Sequence, residues 1–334
     1  MITVTASTWF QAWVGLEVNM MAFVPLVMEK RSTLGAEAGL KYFLVQTVAS
    51  MLLVGIVVSN EMQMGGSRGG EFPVESLTLG SMGIMVALIL KLGMAPFHFW
   101  FPSIAKDLLW KSLLLLLTWQ KLAPLSLLSK LIEPSSNNWV LSGVILSCLW
   151  VGGLGGLTQS TLSTLMAYSS ISHMGWMVGA MVVGDNTWLT YLGVYWGLTV
   201  AVVWGFQQAN CYSLVHLWVK STTPMTSSVS MMLGMMSLGG LPPFLGFFPK
   251  WNVIDGLVGR GWGLMGVCMV VITMITLYYY FRVVFVGFTY WGNTLNLTET
   301  LPSYGEEHKL NWWAWGMVGL NFTGLVVLGV TWAG

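Results

Sequence analysis

The chain has 334 residues, 55% hydrophobic and only 8% charged, with 14 Lys and Arg against 13 Asp and Glu and a formal net charge of +1. Soluble domains carry about 25% charged residues, so an ordinary water-soluble globule is excluded, and the near-zero net charge leaves no nucleic-acid footprint. Mean hydropathy is +0.71, and the apolar runs continue for roughly 18 or more residues without alternating in polarity, which selects a polytopic α-helical membrane protein over a β-barrel.

About ten transmembrane helices are predicted, each long enough for a hydrocarbon core of about 30 Å at 1.5 Å per residue. They run over 5–28, 35–59, 76–101, 108–132, 138–157, 161–183, 187–210, 226–257, 263–290 and 312–332. The first, WFQAWVGLEVNMMAFVPLV, carries Glu17 and Asn19; an acidic residue in its middle and the lack of a basic stretch before it argue against a cleavable signal. Glu29, Lys30 and Arg31 read as a polar loop, Lys41 as an interfacial residue that snorkels, and Glu61–Glu75, with Gly65, Gly66, Gly69 and Gly70, as a loop.

The third span ends in LKLGMAPFHFWFP (Leu90–Pro102), where Lys91 precedes an interruption made by Gly93, Pro96 and His98 among aromatics. Lys106, Asp107 and Lys111 are expected to link it to the fourth span, whose LLLLLTWQKLAP (Leu113–Pro124) holds Lys121. About one helical hairpin separates Lys91 from Lys121, so the two amines are expected at similar depth, in reach of each other through water. Val151–Leu157 (VGGLGGL) and the pairs Gly152/Gly156, Gly175/Gly179 and Gly193/Gly197 read as packing surfaces. Tyr168, Ser169, Ser170, Ser172 and His173 share the run AYSSISHMGWM. After a polar connection around His216 and Lys220 comes a second broken helix, MMLGMMSLGGLPPFLGFFPKW (Met231–Trp251), with Lys250 just past its break. Arg282 follows three tyrosines near the expected interface, and Glu299–Lys309 forms the last polar loop.

Several apparent signals carry no function. Gly261–Gly266 fits G-x-G-x-x-G, but no strand precedes it and the βαβ unit the fingerprint needs is missing. Asn296-Leu297-Thr298 is a glycosylation sequon that matters only in a secretory lumen. Cys148, Cys211 and Cys268 lack paired spacing and read as small buried residues, not as a disulfide framework or metal site. The 23 methionines and 19 tryptophans fit a genetic code with extra codons for both, although interfacial Trp also contributes.

The chemistry is expected at four ionisable residues placed in the membrane interior: Glu17, Lys91, Lys121 and Lys250. At about 2.5–3.5 kcal/mol each they cost on the order of 10–14 kcal/mol gross, comparable to a whole protein's stability. Pairing, water or loss of charge must offset that. Burial disfavours an ammonium and a nearby carboxylate restores it, so a lysine held in this balance takes up or releases a proton as its neighbour's charge changes. Glu17 is expected to pair electrostatically with Lys91, and Lys121 and Lys250 to continue a hydrated relay, with His98 and His173 as possible bridges. The competing reading is a set of static buried ion pairs, with each histidine bonded to a helix carbonyl. The two breaks share a seven-residue pattern, Pro96-Phe97…Phe101-Pro102 and Pro243-Phe244…Phe248-Pro249, which points to a transporter built from structural repeats.

At these residues the chain resembles a known family. WVGLEVNMMAFVPL, KYFLVQTVAS, KLGMAPFHFWFP, LLTWQKLAP, AYSSISHMGWM and SLGGLPPFLGFFPKW look like the mitochondrial NADH dehydrogenase subunit 2 family, antiporter-like membrane-arm subunits of respiratory complex I, over roughly residues 9–285. The resemblance implies an all-α fold of two inverted five-helix repeats, each with a broken helix, in one antiporter-like domain over 1–334, the first at about 76–183 and the second at 187–290 or from an earlier start, with a terminal helix at 312–332. It implies proton translocation across the mitochondrial inner membrane, coupled to electron transfer from NADH to ubiquinone elsewhere in the complex. It assigns Glu17 and Lys91 to the family's Glu–Lys pair, Lys121 to its central lysine and Lys250 to its distal lysine, where related subunits can carry Glu. It also implies no redox centre in this chain, NAD, FMN, iron–sulfur clusters and ubiquinone being bound by partner subunits, and contacts with other membrane-arm and accessory subunits and with phospholipids. Only about 16 residues precede Glu17, so a helix common at the start of this family is expected to be missing or lost to a misassigned start codon. Two alternatives compete: an autonomous cation/proton antiporter using the same lysines, and a structural module that only holds its neighbours.

Overall fold

The computed structural model describes residues 2–28, 33–63, 79–132, 139–184, 186–214 and 225–297, with residues 316, 319 and 321 near the C-terminus. The expected last span apart from those three residues, the Glu29–Arg31 loop, most of the Glu61–Glu75 loop, His216, Lys220, Thr298 of the sequon and the Glu299–Lys309 loop lie outside the described residues. In chain order the helices are α1 (Trp9–Val27), α2 (Thr33–Gln63), α3 (Leu79–Leu92), α4 (Trp100–Asp107), α5 (Trp110–Leu117), α6 (Trp119–Leu131), α7 (Trp139–Leu157), α8 (Leu162–Val183), α9 (Thr187–Gln208), α10 (Met225–Gly239), α11 (Phe247–Gly259) and α12 (Gly263–Leu297). Among the described residues, six helical stretches are long and apolar enough to cross a membrane: 9–27, 33–60, 110–131, 139–157, 187–208 and 263–287. Outside the helices the described residues form turns and isolated bridges, such as Thr161 with Ser213.

The helices fall into two compact units, Met1–Cys148 and Leu149–Gly334. In the first, α2 packs on α1, α3 and α4, and α6 packs on α1, α3 and α5. In the second, α8 packs on α9, α11 and α12, and α10 on α9 and α12. Every residue of α8 except Tyr168 is buried, although the helix is rich in serine. Its hydroxyls are satisfied locally, Ser169 donating to Met166 O at 2.8 Å and Ser172 to Ser169 O at 2.7 Å, the back-bonding by which a helical serine tolerates burial.

Both breaks are built alike. Gly93 (φ 67°) and Gly240 (φ 79°) adopt left-handed backbone, which glycine takes up without steric cost. Each closes the preceding helix with a three-residue bond, Gly93 N to Leu90 O at 3.2 Å and Gly240 N to Ser237 O at 2.9 Å. The next helix opens the same way in each, with Phe101 N on His98 O at 3.0 Å and Phe248 N on Leu245 O at 3.2 Å. Pro102 and Pro249 are then third in α4 and α11, where a missing N–H costs no intrahelical bond. The shared pattern therefore reaches upstream to the glycines, which the sequence comparison of the breaks left out.

Three expectations need correction. Lys106 and Asp107 are helical, in α4, and Lys111 lies in α5, so only Leu108 and Leu109 form the link. The fourth span is divided at Thr118 (φ −114°, ψ −75°), where the hydroxyl and the backbone N–H both donate to Leu114 O, at 2.7 and 3.0 Å; back-bonding of this kind bends helices. Gly193 and Gly197 are exposed with no atom of the described residues within 4 Å of where a Cβ would stand, so among the described residues nothing packs on this pair. Gly152 is one: a Cβ there would lie 2.7 Å from Ser172 N and 2.8 Å from Tyr168 O. Cys148 and Cys211 are buried, whereas Cys268 is half-buried.

Candidate functional site

In the first unit Lys91 sits in the last turn of α3 and Lys121 in the first turn of α6, only 6% and 2% exposed. They line one cavity of about 20 Å³ together with Tyr42, Gln46, Trp100 and Gln120. That is room for one water with several polar partners. The two lysines, expected within reach of each other, are thus brought to the wall of one cavity. The Lys121 Nζ lies 5.6 Å from the centroid of the Phe101 ring, a cation–π contact of roughly 0.5–2 kcal/mol. The break places that ring, and the Trp100 indole ties its two ends by donating to Leu90 O at 3.2 Å.

Gln120 joins three helices. Its Oε1 accepts from Asn19 Nδ2 of α1 at 2.7 Å and from the Tyr42 hydroxyl of α2 at 3.2 Å, and Gln46 of α2 donates to Lys91 O at 3.1 Å. Tyr42, Gln46 and Gln120 were not among the residues singled out from sequence. Their signal was an amide or phenol inside an apolar helical run, which becomes meaningful only beside the lysines. We predict that Gln120→Leu, by leaving the Asn19 amide and Tyr42 hydroxyl without their acceptor, costs about 1–3 kcal/mol, to be read as a lower inactivation temperature of the intact assembly.

Glu17 acts on Lys91 through space and not in contact: among the described residues the ion pair within 4 Å is Lys41–Glu37, at 2.6 Å at the exposed start of α2. The Glu17 Oε1 atom is buried and has no hydrogen-bond partner among the described residues. His98 bonds through Nδ1 to Pro96 O at 3.2 Å, inside its own break, and is not among the residues lining the Lys91–Lys121 cavity.

In the second unit the buried Lys250 donates from Nζ to Gly239 O at 2.7 Å and lies 5.9 Å from the Trp176 ring. Its ammonium therefore meets the C-terminal carbonyl end of α10, the end of a helix that favours a cation. Lys91, in the last turn of α3, occupies the same end of its own half-helix. In sequence the two lysines stand on opposite sides of their breaks; in the fold Lys250 reaches back across its break to the end of the first half, where Lys91 sits by its place in α3. His173 bonds through Nδ1 to the Tyr191 hydroxyl at 2.9 Å. Arg282 clamps the end of α7, donating to Leu157 O and Gln159 O, both at 2.7 Å.

Broken helices with buried lysines beside their breaks are the parts of an ion-translocating membrane protein. A family model described as NADH:quinone oxidoreductase/Mrp antiporter, TM, matches residues 6–276. The NADH-ubiquinone oxidoreductase chain 2 of Oryctolagus cuniculus is 41% identical over 288 residues, 85% of this chain and 81% of that protein. This chain belongs to that family. The protein of the same description from Locusta migratoria is 37% identical over 285 residues, covering 85% of this chain and 80% of the relative. A chain of respiratory complex I from Thermus thermophilus with bound aureothin shares the fold, with a TM-score of 0.79 and 24% identity over 98% of this chain and 74% of that one.

Proposed function

We infer that this chain is a core membrane subunit of an H⁺-translocating NADH:ubiquinone oxidoreductase of the mitochondrial inner membrane, and that it moves protons through buried Glu and Lys side chains. The observation that carries the relay is the single water-sized cavity shared by Lys91 and Lys121. With Glu17 ionised, the Lys91 ammonium is favoured; with Glu17 neutralised, Lys91 gives up a proton, and a water in the cavity passes it to Lys121, whose cation rests on the Phe101 ring. Lys250, held by Gly239 O, is the corresponding proton-binding group of the second unit.

In this reading the two like-built breaks belong to two inverted five-helix repeats, about 76–183 and 187–290. NAD, FMN, iron–sulfur clusters and ubiquinone belong to partner subunits, and membrane-arm neighbours and phospholipids surround the helices. The proposal is tested by a native gel of gently solubilised inner membranes stained for NADH oxidation, with the active band searched for this chain by mass spectrometry. The chain is expected in a very large active band; migration alone would instead support an autonomous cation/proton antiporter.

A further inference from the structure

We propose that Gln46 and Gln120 are positioning residues of the relay, an amide pair that orients a single water between the amines of Lys91 and Lys121. It rests on the relay reading above and names how the transfer between those two lysines is built.

The side-chain protons and acceptors on the cavity wall can be accounted for one by one. The Trp100 N–H is taken by Leu90 O at 3.2 Å, and the Tyr42 O–H by Gln120 Oε1 at 3.2 Å. Gln120 Oε1 also receives Asn19 Nδ2 at 2.7 Å, so donors from two other helices fix which way this amide faces. With its oxygen engaged twice, the NH2 group is what Gln120 offers to the cavity it lines. Gln46 is set the opposite way. Its Nε2 donates to Lys91 O at 3.1 Å, at the end of α3, and its Oε1 is the acceptor it brings to the same wall. Among the described residues no carboxylate lines this cavity.

A cavity of about 20 Å³ holds one water, and a water makes at most about four hydrogen bonds. Transfer between two amines uses two of them: the water accepts from the ammonium and donates to the neutral amine. The amide pair supplies the other two, Gln120 donating to the water and Gln46 accepting from it. An N–H bond at Lys91 breaks as an O–H bond forms at the water. The water's opposite O–H bond breaks as an N–H bond forms at Lys121, and no electrons are gained or lost. The acceptor has to be neutral, because a carboxylate in its place would hold the ammonium where it stands. The same count limits the charge: two ammonium groups and the Gln120 amide would present three donors to the two lone pairs of one water, so the cavity carries one positive charge at a time.

The test uses the assembled complex in sealed inner-membrane vesicles, with Gln120→Glu as the variant and Gln11→Glu as the control. Glutamate keeps the shape of Gln120 and an oxygen for Asn19 and Tyr42. It turns the donor that faces the cavity into an acceptor, so the water no longer points its proton at the neutral amine. Gln11 is exposed, and its Oε1 accepts from Ser7 N and Oγ, both at 3.2 Å. Gln120→Glu is expected to assemble with the inactivation temperature of the control and to pump roughly tenfold more slowly. It is also expected to show an enlarged solvent deuterium isotope effect, which a merely structural amide would leave alone. Pumping and isotope effect equal to those of Gln11→Glu would overturn the amide pair. Should Gln120→Glu fail to assemble, Tyr42→Phe decides, since it keeps the ring and releases one of the two donors that lock Gln120: slower pumping with a larger isotope effect supports the pair, and normal pumping overturns it. Lys121→Met, measured in parallel, separates the pair from the relay itself. Lost pumping there with a normal Gln120→Glu discards the amide pair and keeps the relay, and normal pumping there discards both.

Discussion

Lys121→Ala is expected to depress proton pumping severely while the complex still assembles. Two opposing terms act on the fold. Removing a buried ammonium relieves a burial cost of about 2.5–3.5 kcal/mol, whereas the space left by a long side chain costs about 2–5 kcal/mol on the scale of large-to-small core substitutions. They largely cancel, so stability changes little. Transport has no such compensation: with Lys121 gone, the cavity it shares with Lys91 has a single amine, and the proposed relay loses the second base that receives the proton of Lys91. Lys121→Met fills the volume without the charge and is expected to give the same loss with a smaller stability change. The readout is protons moved per NADH oxidised in sealed vesicles, with assembly checked on a native gel. Full pumping by an assembled Lys121→Met complex would sink the relay.

Gly246→Ala is expected to abolish assembly. A Cβ at Gly246 would overlap the carbonyl oxygen of Ser237 and stand 2.7 Å from its carbon. Both belong to main chain at the break between α10 and α11, where Gly246 N also donates to Ser237 Oγ at 3.2 Å. No flexible side chain is available to yield, so the two half-helices must separate, at a cost of roughly 3–5 kcal/mol. That is a large share of the stability of a domain. Gly259→Ala at the other end of α11 is the matched control: nothing lies within 4 Å of its Cβ position, and its effect is expected within about 0.5 kcal/mol. The amount of chain in the assembled complex, compared between the two variants, checks this; equal amounts would show that the break tolerates the extra carbon.

What the sequence determined by itself is local or compositional. Long apolar runs give membrane helices because each backbone N–H must be satisfied within its own segment. Gly93 and Gly240 with Pro96, Pro102, Pro243 and Pro249 set both breaks, since glycine opens left-handed backbone and proline withholds a donor, whatever lies around them. The exceptional cost of a lysine in an apolar run made Lys91, Lys121 and Lys250 visible, and the motif blocks made the family legible.

Only the tertiary structure decided who meets whom. Gln120 receives Asn19 from 101 positions away and Tyr42 from 78, and Gln46 reaches the Lys91 carbonyl across 45; no periodicity encodes such pairings. Gly193 and Gly197 show the same limit, because a small-xxx-small spacing permits close approach but does not supply the helix that approaches. Lys91 and Lys250 lie on opposite sides of their breaks along the chain, yet Lys250 reaches back to the carbonyl end of α10 in the fold, because a long side chain samples space set by packing and not by its place in the sequence.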